Sequence, residues 1–424
     1  MTAILPHQWV KTHAGDTPDA LAVVFGDMTI TYGELDRMAD EDAHRLIREG
    51  ITPGDLVPRR AAAPLDMIIA MVSIPRAGGV IAPYGPHRLA GGGSFDASTC
   101  AVVPTSGSSG RPRGVILTGR NVAAAVEASR RRLGTTASDR WLLTLPLFHV
   151  GGLSVVWRTL TAGGSIDVHP LFDAGKAADA LRRGSVTVAS LVPTMLQRIL
   201  DVDPGPYAGL KAILLGGAPA DTALVERALD AGLPVLQTYG MTESCSQIST
   251  VKPGTARSSL GTVGRPIDGL VVTIVEGEIT IDGPSVSPGY VGEQPRSGPY
   301  RTGDLVRFDD EGRLIVVGRK GGVIITGGEN VHPSVVESAI EAHPAVDRVV
   351  VVGVEDDEWG EIVVAVVELQ GATLAAVREA TALRLARHEN PKRWLIVEHI
   401  PLLPNGKPDR ESARTTAALS LIHI

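Results

Sequence analysis

Apolar residues follow two different patterns in the middle of the chain, between positions 100 and 240. Short continuous apolar runs predict buried strands, and longer stretches with apolar residues three or four positions apart predict amphipathic helices. Strands are predicted at 100–104, 141–145, 186–192, 212–215 and 235–239, and helices at 121–133, 174–183, 194–202 and 221–231. Gly134, Gly184 and Gly232 follow three of these helices, at a position where glycine commonly ends a helix. This alternation predicts an α/β region with a mostly parallel sheet.

The pattern changes after Gly261, where short β-type runs are separated by Gly and Pro turns. These runs predict a β subdomain over about 261–318, with strands at 271–275, 278–281 and 313–317. A last region mixes helices with strands at 348–354 and 362–369. We therefore predict an α/β fold with two domains. The large N-terminal domain, residues 1–318, has mixed sheets flanked by helices, and the small α+β C-terminal domain covers residues 319–424.

The overall composition is that of a globular protein, with 424 residues, 44% of them hydrophobic, 21% charged, and a formal charge of -7. Lys and Arg form no basic stripe, which argues against nucleic-acid binding. Cys100 and Cys245 are too few for a disulfide framework, and Arg76 interrupts the most apolar run, 67–80. Residues 1–15 lack the pattern of a signal peptide. We expect a cytoplasmic protein that does not insert into membranes. The sequence leaves open whether the chain forms homo-oligomers.

A loop rich in Gly, Ser and Arg, residues 105–114, follows the predicted strand 100–104 and precedes a predicted helix. Backbone N–H groups, hydroxyls and cations in such a loop can surround phosphate. The loop is not a Walker A motif, because Gly-Lys followed by Ser or Thr does not occur at the required spacing. A flexible linker is the alternative, although Pro112 stiffens the end of the loop.

Six segments in a fixed order connect this loop with a known superfamily, namely 105–114, 239–243, 300–304, 318–319, 327–330 and 404–407. In these segments the sequence resembles the acyl-adenylate-forming enzymes, which include acyl-CoA synthetases, luciferases and the adenylation domains of peptide synthetases. The resemblance implies that ATP with Mg²⁺ activates a small carboxylic acid. It also implies that the C-terminal domain is a mobile lid that rotates between two half-reactions, with coenzyme A as the second substrate.

The resemblance implies a nucleotide site built from several of these segments. Glu243 follows a strand end, where its carboxylate is expected to hold Mg²⁺, and Thr242 is expected to hydrogen-bond the α-phosphate. Asp304 is expected to bind the ribose hydroxyls, with Arg319 near the same sugar or a phosphate. The remaining nucleotide contacts are expected from Thr105, Ser106, Gly107, Ser108, Ser109, Gly110, Gly216, Gly217, Ala218, Tyr239 and Gly240. Taken singly, each of these residues is also compatible with an ordinary turn or a surface charge.

The resemblance also assigns catalytic cations, a hinge and a path for coenzyme A. Lys407, on a Pro-Asn-Gly turn, matches the catalytic lysine of the superfamily, and Arg113 stands where most members carry Lys. The hinge corresponds to Gly321, where many members carry a charged residue. The coenzyme A path is expected along Gly327, Gly328, Glu329 and Asn330. Most members have an additional strand and helix where this chain has only the short passage 87–94.

The acyl pocket is predicted from segment 145–153, in which His149 stands where amino-acid-activating domains usually place Asp. An acid without an α-amino group is therefore favoured. Segments 145–158, 190–201 and 237–250 resemble the o-succinylbenzoate-CoA ligases of menaquinone biosynthesis. The second carboxylate of that substrate needs a cation or several donors, and the candidates are Arg158, Ser246 and Gln247. A packing histidine and a snorkelling arginine are the alternatives for His149 and Arg158.

The predicted function is therefore that of an AMP-forming carboxylate–CoA ligase. ATP and the acid give acyl-adenylate and pyrophosphate, and coenzyme A then gives acyl-CoA and AMP. Three alternatives stay open: a ligase for another aryl or fatty acid, an enzyme that loads a carrier protein, and a nucleotide-binding protein that has lost catalysis. The joint presence of Glu243, Asp304, Arg319 and Lys407 argues against the last of these.

Overall fold

The computed structural model describes residues 6–85, 94–105, 113–320, 322–326, 329–356, 358–371, 373–403 and 408–422. The first part of the chain contains α1 (Pro6–Asp16), β1 (Leu21–Phe25), β2 (Met28–Thr31), α2 (Tyr32–Arg48), β3 (Leu56–Arg60), α3 (Pro64–Arg76) and β4 (Val80–Tyr84). The middle part contains β5 (Thr99–Thr105), β6 (Arg113–Thr118), α4 (Gly119–Leu133), β7 (Arg140–Leu143), α5 (Val150–Ala162), β8 (Ser165–Val168), α6 (Ala174–Arg182), β9 (Val188–Leu191), α7 (Pro193–Val202), β10 (Ala212–Leu215), α8 (Thr222–Asp230) and β11 (Val235–Tyr239).

Short strands dominate the chain after β11. The segment up to position 319 contains β12 (Ser249–Thr250), β13 (Arg265–Pro266), β14 (Val271–Val275), β15 (Glu278–Asp282), β16 (Gly289–Tyr290), β17 (Tyr300–Phe308) and β18 (Leu314–Arg319). The C-terminal segment contains β19 (Ile324–Thr326), β20 (Glu329–Val331), α9 (Pro333–Glu341), β21 (Val346–Asp356), β22 (Gly360–Leu369), α10 (Leu374–Ala382), β23 (Arg393–Ile396) and α11 (Arg410–Ile422). The α/β class predicted from the sequence is confirmed, and a domain boundary after residue 318 stays a prediction.

The largest sheet has the strand order β13-β12-β11-β10-β9-β7-β8-β1-β2. Its central strands, from β11 to β1, run parallel, and β12, β13 and β2 add antiparallel edges. One helix connects each strand to the next along the chain from β7 to β11. Because parallel strands end at a common edge, this sheet brings the segments that follow β10 and β11 together.

The predicted strand at 100–104 does not belong to this parallel sheet. It forms β5 of a second sheet, with the order β16-β6-β5-β4-β3, and it pairs antiparallel with β6. The sequence analysis placed the loop 105–114 between a strand and the helix predicted at 121–133, and it did not predict the strand β6 between them. Residue 113 begins β6, and α4 starts only at Gly119, so the loop connects two antiparallel strands. The short passage at 87–94 lies outside the described residues except for Ser94, which bridges to Asp55.

Local sequence signals explain how two helices of the N-terminal region begin and end. Thr31 accepts a hydrogen bond from the backbone N–H of Glu34, whose carboxylate accepts one from the backbone N–H of Thr31. Thr118 and Asn121 form the same reciprocal arrangement at α4. Such boxes satisfy N–H groups that a helix start leaves without partners. Gly134 ends α4 with a φ of 67°, the left-handed conformation that glycine adopts at low cost.

Two smaller sheets complete the fold. The β subdomain is a sheet with the order β14-β15-β17-β18, and the C-terminal sheet contains β19 to β23. The long pair β21 and β22 is buried on both faces, so its valines alternate between two cores. One core includes Val336 and Ile340 of α9, and the other includes Ala413 and Ala417 of α11. No helix within the described residues is long and apolar enough to cross a membrane.

Candidate active site

The loop after β11 folds back tightly, and this fold brings the predicted residues of two motifs together. A Cβ atom added at Gly240 would lie 1.5 Å from the backbone oxygen of Ser246. Only glycine allows the two backbone segments to approach this closely. Within the turn, Thr242–Ser244 form one turn of 3-10 helix, and Cys245 and Ser246 have φ values of 55° and 99°. The strained turn places Glu243 at one end and Ser246 with Gln247 at the other.

Asp304 joins the large sheet to the β subdomain. The hydroxyl of Tyr239 donates a hydrogen bond to Asp304 Oδ2 at 2.6 Å. Asp304 on β17 is paired in register with Arg319 on β18, and Arg319 Nε lies 3.7 Å from Asp304 Oδ1. Burial and the Asp304 carboxylate raise the pKa of Tyr239 above its usual value, so the phenol stays protonated and acts as the donor. The structure therefore brings three of the predicted nucleotide residues into one cluster.

Glu243 lies in a second cluster, which contains two tyrosines. Tyr290 donates a hydrogen bond to Glu243 Oε1 at 2.7 Å, and the hydroxyls of Tyr290 and Tyr300 are 2.8 Å apart. Burial and the nearby Glu243 raise the pKa of Tyr300 to about 12. The guanidinium carbon of Arg113 lies 3.4 Å from the centre of the Tyr290 ring, at a distance typical of a cation–π contact. Glu293 accepts a hydrogen bond from Arg113 at 2.7 Å.

The surroundings of Glu243, the predicted magnesium ligand, leave one of its carboxylate oxygens available for a metal ion. Glu243 Oε1 accepts the hydrogen bond from Tyr290, and the described residues supply no hydrogen bond to Oε2. They also contain no cluster of three His, Cys, Asp or Glu side chains that could hold a metal ion. Mg²⁺ keeps several waters and is commonly bound through one or two carboxylates together with substrate phosphates. A single oriented carboxylate therefore fits Mg²⁺ that arrives with ATP.

The loop after β10 lies beside the end of β11. A Cβ atom at Gly216 would lie 2.8 Å from Thr238 Cγ2 and 2.9 Å from Thr238 O, so a side chain there would collide with β11. Gly217 has a φ of +83°, which side chains rarely adopt. A side chain at either position would therefore disturb this loop, and the role of these glycines in adenine binding stays a prediction.

Arg158 lies on α5 and is 5% exposed. Its Nη2 donates to Ser246 Oγ at 3.1 Å and to Gln247 Oε1 at 3.0 Å. The guanidinium carbon also lies 5.8 Å from the centre of the Trp141 ring. Burial lowers the pKa of Arg158 to about 10, so the side chain stays charged at neutral pH. Within the described residues, the hydrogen-bond partners of this buried cation are neutral, and no carboxylate forms an ion pair with it.

Gln247 holds the arginine in place. Its amide oxygen accepts the hydrogen bond from Arg158, and its amide nitrogen donates to Thr250 Oγ1 at 2.6 Å. The side chain is 2% exposed. The sequence analysis suggested Gln247 as a neutral donor to the acid, but the described contacts already use both ends of its amide. Ser246, the other suggested donor, accepts a hydrogen bond from the same nitrogen of Arg158 as Gln247 does.

His149 stands at the start of α5, on the same helix as Arg158. Its ring centre lies 4.3 Å from that of Phe148, and the backbone N–H of Leu153 donates to His149 O. A Cβ atom at Gly152 would lie 2.4 Å from Pro146 O, so the first turn of α5 packs directly against the preceding strand connection. The predicted acyl segment is thereby connected to the buried arginine through a single helix.

Several predicted residues fall outside the described part of the chain: Ser106, Gly107, Ser108, Ser109, Gly110, Gly321, Gly327, Gly328 and Lys407. Thr105 is described at the end of β5, where its hydroxyl donates to Arg113 O at 3.4 Å. Glu329 and Asn330 lie on β20, paired with Thr326 and Ile325 of β19. The roles assigned to all of these residues stay predictions.

Sequence reasoning missed Tyr290, which connects Glu243 with Arg113. The two residues that it connects lie 47 and 177 positions away, so no local pattern reveals this connection. Two hydrogen bonds of Ser287, three positions earlier, place Tyr290 in the structure: Ser287 Oγ donates to Ile116 O, and the backbone N–H of Ser287 donates to Glu243 O. These bonds place β16 beside both the loop of Glu243 and β6.

Comparison with known proteins agrees with this arrangement. A sequence model described as "AMP-binding enzyme" matches residues 10–90 and 95–291, and a model of the "AMP-binding enzyme C-terminal domain" matches residues 335–407. The chain belongs to the AMP-binding enzyme family. The superfamily inferred from the ordered motifs is thereby confirmed.

Relatives of this AMP-binding enzyme are similar over almost the whole chain. The 2-succinylbenzoate–CoA ligase of Bacillus licheniformis is 32% identical over 468 residues, covering 94% of this chain and 97% of the relative. The structure of o-succinylbenzoate CoA synthetase from Bacillus subtilis with the acyl-adenylate intermediate OSB-AMP has a TM-score of 0.88 at 28% identity and covers 96% and 97% of the two chains. The same synthetase with ATP and magnesium ion has a TM-score of 0.86 at 28% identity and covers 95% and 98%.

Proposed function

We propose that this AMP-binding enzyme is a 2-succinylbenzoate–CoA ligase. It uses ATP, Mg²⁺ and coenzyme A, as its relatives' names and bound ligands suggest. The observation that carries the substrate assignment is the buried guanidinium of Arg158, which lacks a carboxylate partner within the described residues. Burying an unpaired charge is costly unless a ligand completes it. An acid with a second carboxylate supplies that partner.

The first half-reaction forms the acyl-adenylate. An oxygen of the succinyl carboxylate attacks the α-phosphorus of ATP, the bond to the bridging oxygen breaks, and pyrophosphate leaves. Arg158 holds the ring carboxylate of the acid, and Asp304 accepts hydrogen bonds from the ribose hydroxyls. Glu243 would hold Mg²⁺, which would neutralise phosphate charge. Arg113 and Lys407 stabilise the negative charge at phosphorus.

The second half-reaction transfers the acyl group to coenzyme A. The thiol sulfur attacks the acyl carbon, AMP leaves with the bonding electrons, and the thiol proton passes to solvent. Glu329 and Asn330 lie on β20 and would line the approach of the thiol after the C-terminal domain turns about Gly321. The reacting thiol belongs to coenzyme A, and the two cysteines of the chain, Cys100 and Cys245, are both buried.

The experiment is a comparison of two acids that differ only in the group Arg158 is proposed to bind. Pyrophosphate release is measured with 2-succinylbenzoate and with 4-oxo-4-phenylbutanoate, which lacks the ring carboxylate, each with and without coenzyme A. We expect rapid release with 2-succinylbenzoate, about a hundredfold lower kcat/KM with the second acid, and a CoA thioester as product. Equal rates would contradict the proposed role of the second carboxylate. Nucleotide binding without release across further aryl and fatty acids would favour a binding protein.

A further inference from the structure

Glu278 is a buried carboxylate to which neither the sequence motifs nor the proposed function gives a role. It opens β15, is 3% exposed, and is paired in register with Leu305 of β17. Burying a carboxylate requires several partners, because an uncompensated charge in the interior is strongly unfavourable. The partners of Glu278 therefore show what its burial achieves.

All of these partners belong to the bulged turn that Arg301–Asp304 forms within β17, and to the residue that follows β18. Glu278 Oε2 accepts hydrogen bonds from two nitrogens of Arg301, and Oε1 accepts one from the backbone N–H of Gly303 at 3.1 Å. Lys320 Nζ lies 3.4 Å from Oε2, and the backbone N–H of Lys320 donates to Gly303 O at 2.6 Å. One carboxylate thus holds both sides of the turn that carries Asp304.

This turn cannot hold its shape through ordinary strand pairing. The register of β15 with β17 shifts between Glu278 and Thr280, and Gly303 has a φ of +77°. Because of this irregular pairing, the backbone N–H of Gly303 donates to the Glu278 side chain and not to a backbone carbonyl of β15. A carboxylate that accepts a backbone N–H fixes the direction in which the next side chain, Asp304, leaves the strand.

We propose that Glu278 is a positioning residue for nucleotide recognition: it fixes the Arg301–Asp304 turn so that the Asp304 carboxylate meets the ribose hydroxyls. The inference rests on the ribose role of Asp304 in the proposed function. In this proposal Glu278 does not bind the nucleotide itself but acts on it through Asp304, because its own hydrogen bonds go to Arg301, Gly303 and Lys320. Lys320, the last described residue before the predicted hinge at Gly321, belongs to the same cluster, which extends from the ribose turn to the start of the C-terminal region.

The test asks whether removing the Glu278 charge affects only nucleotides that have the ribose hydroxyls. Pyrophosphate release with saturating acid is measured for the wild type and for Glu278→Gln, with ATP, 2′-deoxy-ATP and 3′-deoxy-ATP. Glutamine preserves the side-chain length and one acceptor oxygen and removes the charge. Glu276→Gln is the matched control, because Glu276 is exposed two positions earlier in the same hairpin. Thermal unfolding of each variant checks that the folded fraction is complete.

We expect the wild type to have a lower KM for ATP than for at least one deoxynucleotide. E278Q should raise the KM for ATP about tenfold, with little change for that deoxynucleotide, while E276Q matches the wild type. An equal increase for all three nucleotides would overturn the positioning role, since a general structural defect does not distinguish them. A wild type that does not discriminate at all would instead overturn the ribose contact, and the inference with it. Dependence of pyrophosphate release on 2-succinylbenzoate reports separately on the proposed ligase activity.

Discussion

The proposed acyl side and the proposed nucleotide side of the candidate site, called the acyl side and the nucleotide side below, carry opposite charges in different surroundings. On the acyl side, a cation, Arg158, is buried among neutral partners and lacks an ion-pair partner within the described residues. On the nucleotide side, the carboxylates Asp304 and Glu243 each accept a hydrogen bond from a tyrosine. The acyl side is therefore prepared for an anion, and the nucleotide side for hydroxyls and a cation.

The difference shows where binding free energy can be gained. A buried charge that waits for its counter-ion contributes most when the ligand arrives, because the protein has already removed it from water. Carboxylates held by tyrosines gain less from each new contact, since part of their hydrogen-bonding capacity is already used. We therefore expect substitutions on the acyl side to affect substrate selection more strongly than those on the nucleotide side affect ATP binding.

The largest effect is expected from Arg158→Met. Loss of the guanidinium should lower kcat/KM for 2-succinylbenzoate about 100- to 1000-fold, which corresponds to roughly 3–4 kcal/mol. The free energy of unfolding should stay equal or rise, because an unpaired buried charge is replaced by an apolar chain. The measurements are pyrophosphate release against acid concentration and denaturant unfolding.

Arg183→Met is the control for this prediction, because Arg183 carries a side chain that is 75% exposed on the surface. It should match the wild type in both measurements. A large loss of stability in R158M, with unchanged selectivity between the two test acids, would make Arg158 a structural residue and remove the contrast between the two sides.

A smaller effect is expected from Asp304→Asn on the nucleotide side. Charge-assisted hydrogen bonds contribute about 1.5–3 kcal/mol, so the KM for ATP should rise roughly 10- to 100-fold. The ratio of kcat/KM values for the two acids should not change. Asp310→Asn, an exposed substitution in the turn after β17, provides the control. A change in acid selectivity would show that the two sides are not independent.

Tyr290→Phe should sharpen the assignment of Glu243. Removing the hydroxyl deletes the 2.7 Å hydrogen bond that orients Glu243 Oε1. Groups that orient a metal ligand affect metal affinity by about 10- to 100-fold, and we expect the lower end here, as about a tenfold increase in the Mg²⁺ concentration for half-maximal rate. Tyr207→Phe removes a tyrosine hydroxyl that donates to Asp203 O, away from the site, and should leave this concentration unchanged.

The smallest expected effect comes from His7, which lies outside both sides of the site. Burial, with a smaller contribution from Arg76, lowers its pKa from 6.5 to about 4. The unfolded chain therefore binds a proton at a higher pH than the folded one, and stability falls as the pH falls from 6.5 towards 4. Because the ring is only partly buried, we discount the shift and expect a loss of about 1 kcal/mol.

His7→Gln should flatten this part of the stability profile, and the exposed His44→Gln should not. The measurement is denaturant unfolding at several pH values. An unchanged slope in H7Q would assign the acid sensitivity to other groups. If the slope does flatten, the acyl-side and nucleotide-side variants should be assayed above pH 7, where His7 no longer affects stability.

Local patterns predicted the elements well where neighbouring residues determine them. The strands Ala212–Leu215, Val235–Tyr239 and Val271–Val275 have the predicted bounds, because an apolar run and its flanking turns define each of them. The pairing of β5 with β6 was missed, since it depends on hydrogen bonds between strands and not on the period of either strand. Hydrophobic pattern alone does not specify which sheet a buried strand joins.

The candidate site shows the same limit. Ordered motifs and a resemblance predicted Glu243, Asp304 and Arg158, but the partners of these residues come from distant strands and loops. Glu278 was predicted only as a strand residue, because its hydrogen bonds to Gly303 and Arg301 cross from β15 to β17. Residues that act through a neighbour carry no chemical motif of their own, and only the structure reveals them.

The burial of both cysteines has a practical consequence for chemical labelling. Cys100 and Cys245 are 4% and 2% exposed, and burial raises the pKa of both thiols, that of Cys245 to about 12. Disulfide and maleimide reagents act on the thiolate, so the folded chain should react slowly with them. A cysteine introduced on the surface would then carry a fluorophore almost alone, without removal of the native thiols. A pair of dyes, one attached before and one after residue 321, would report how the distance between these two parts of the chain changes during turnover.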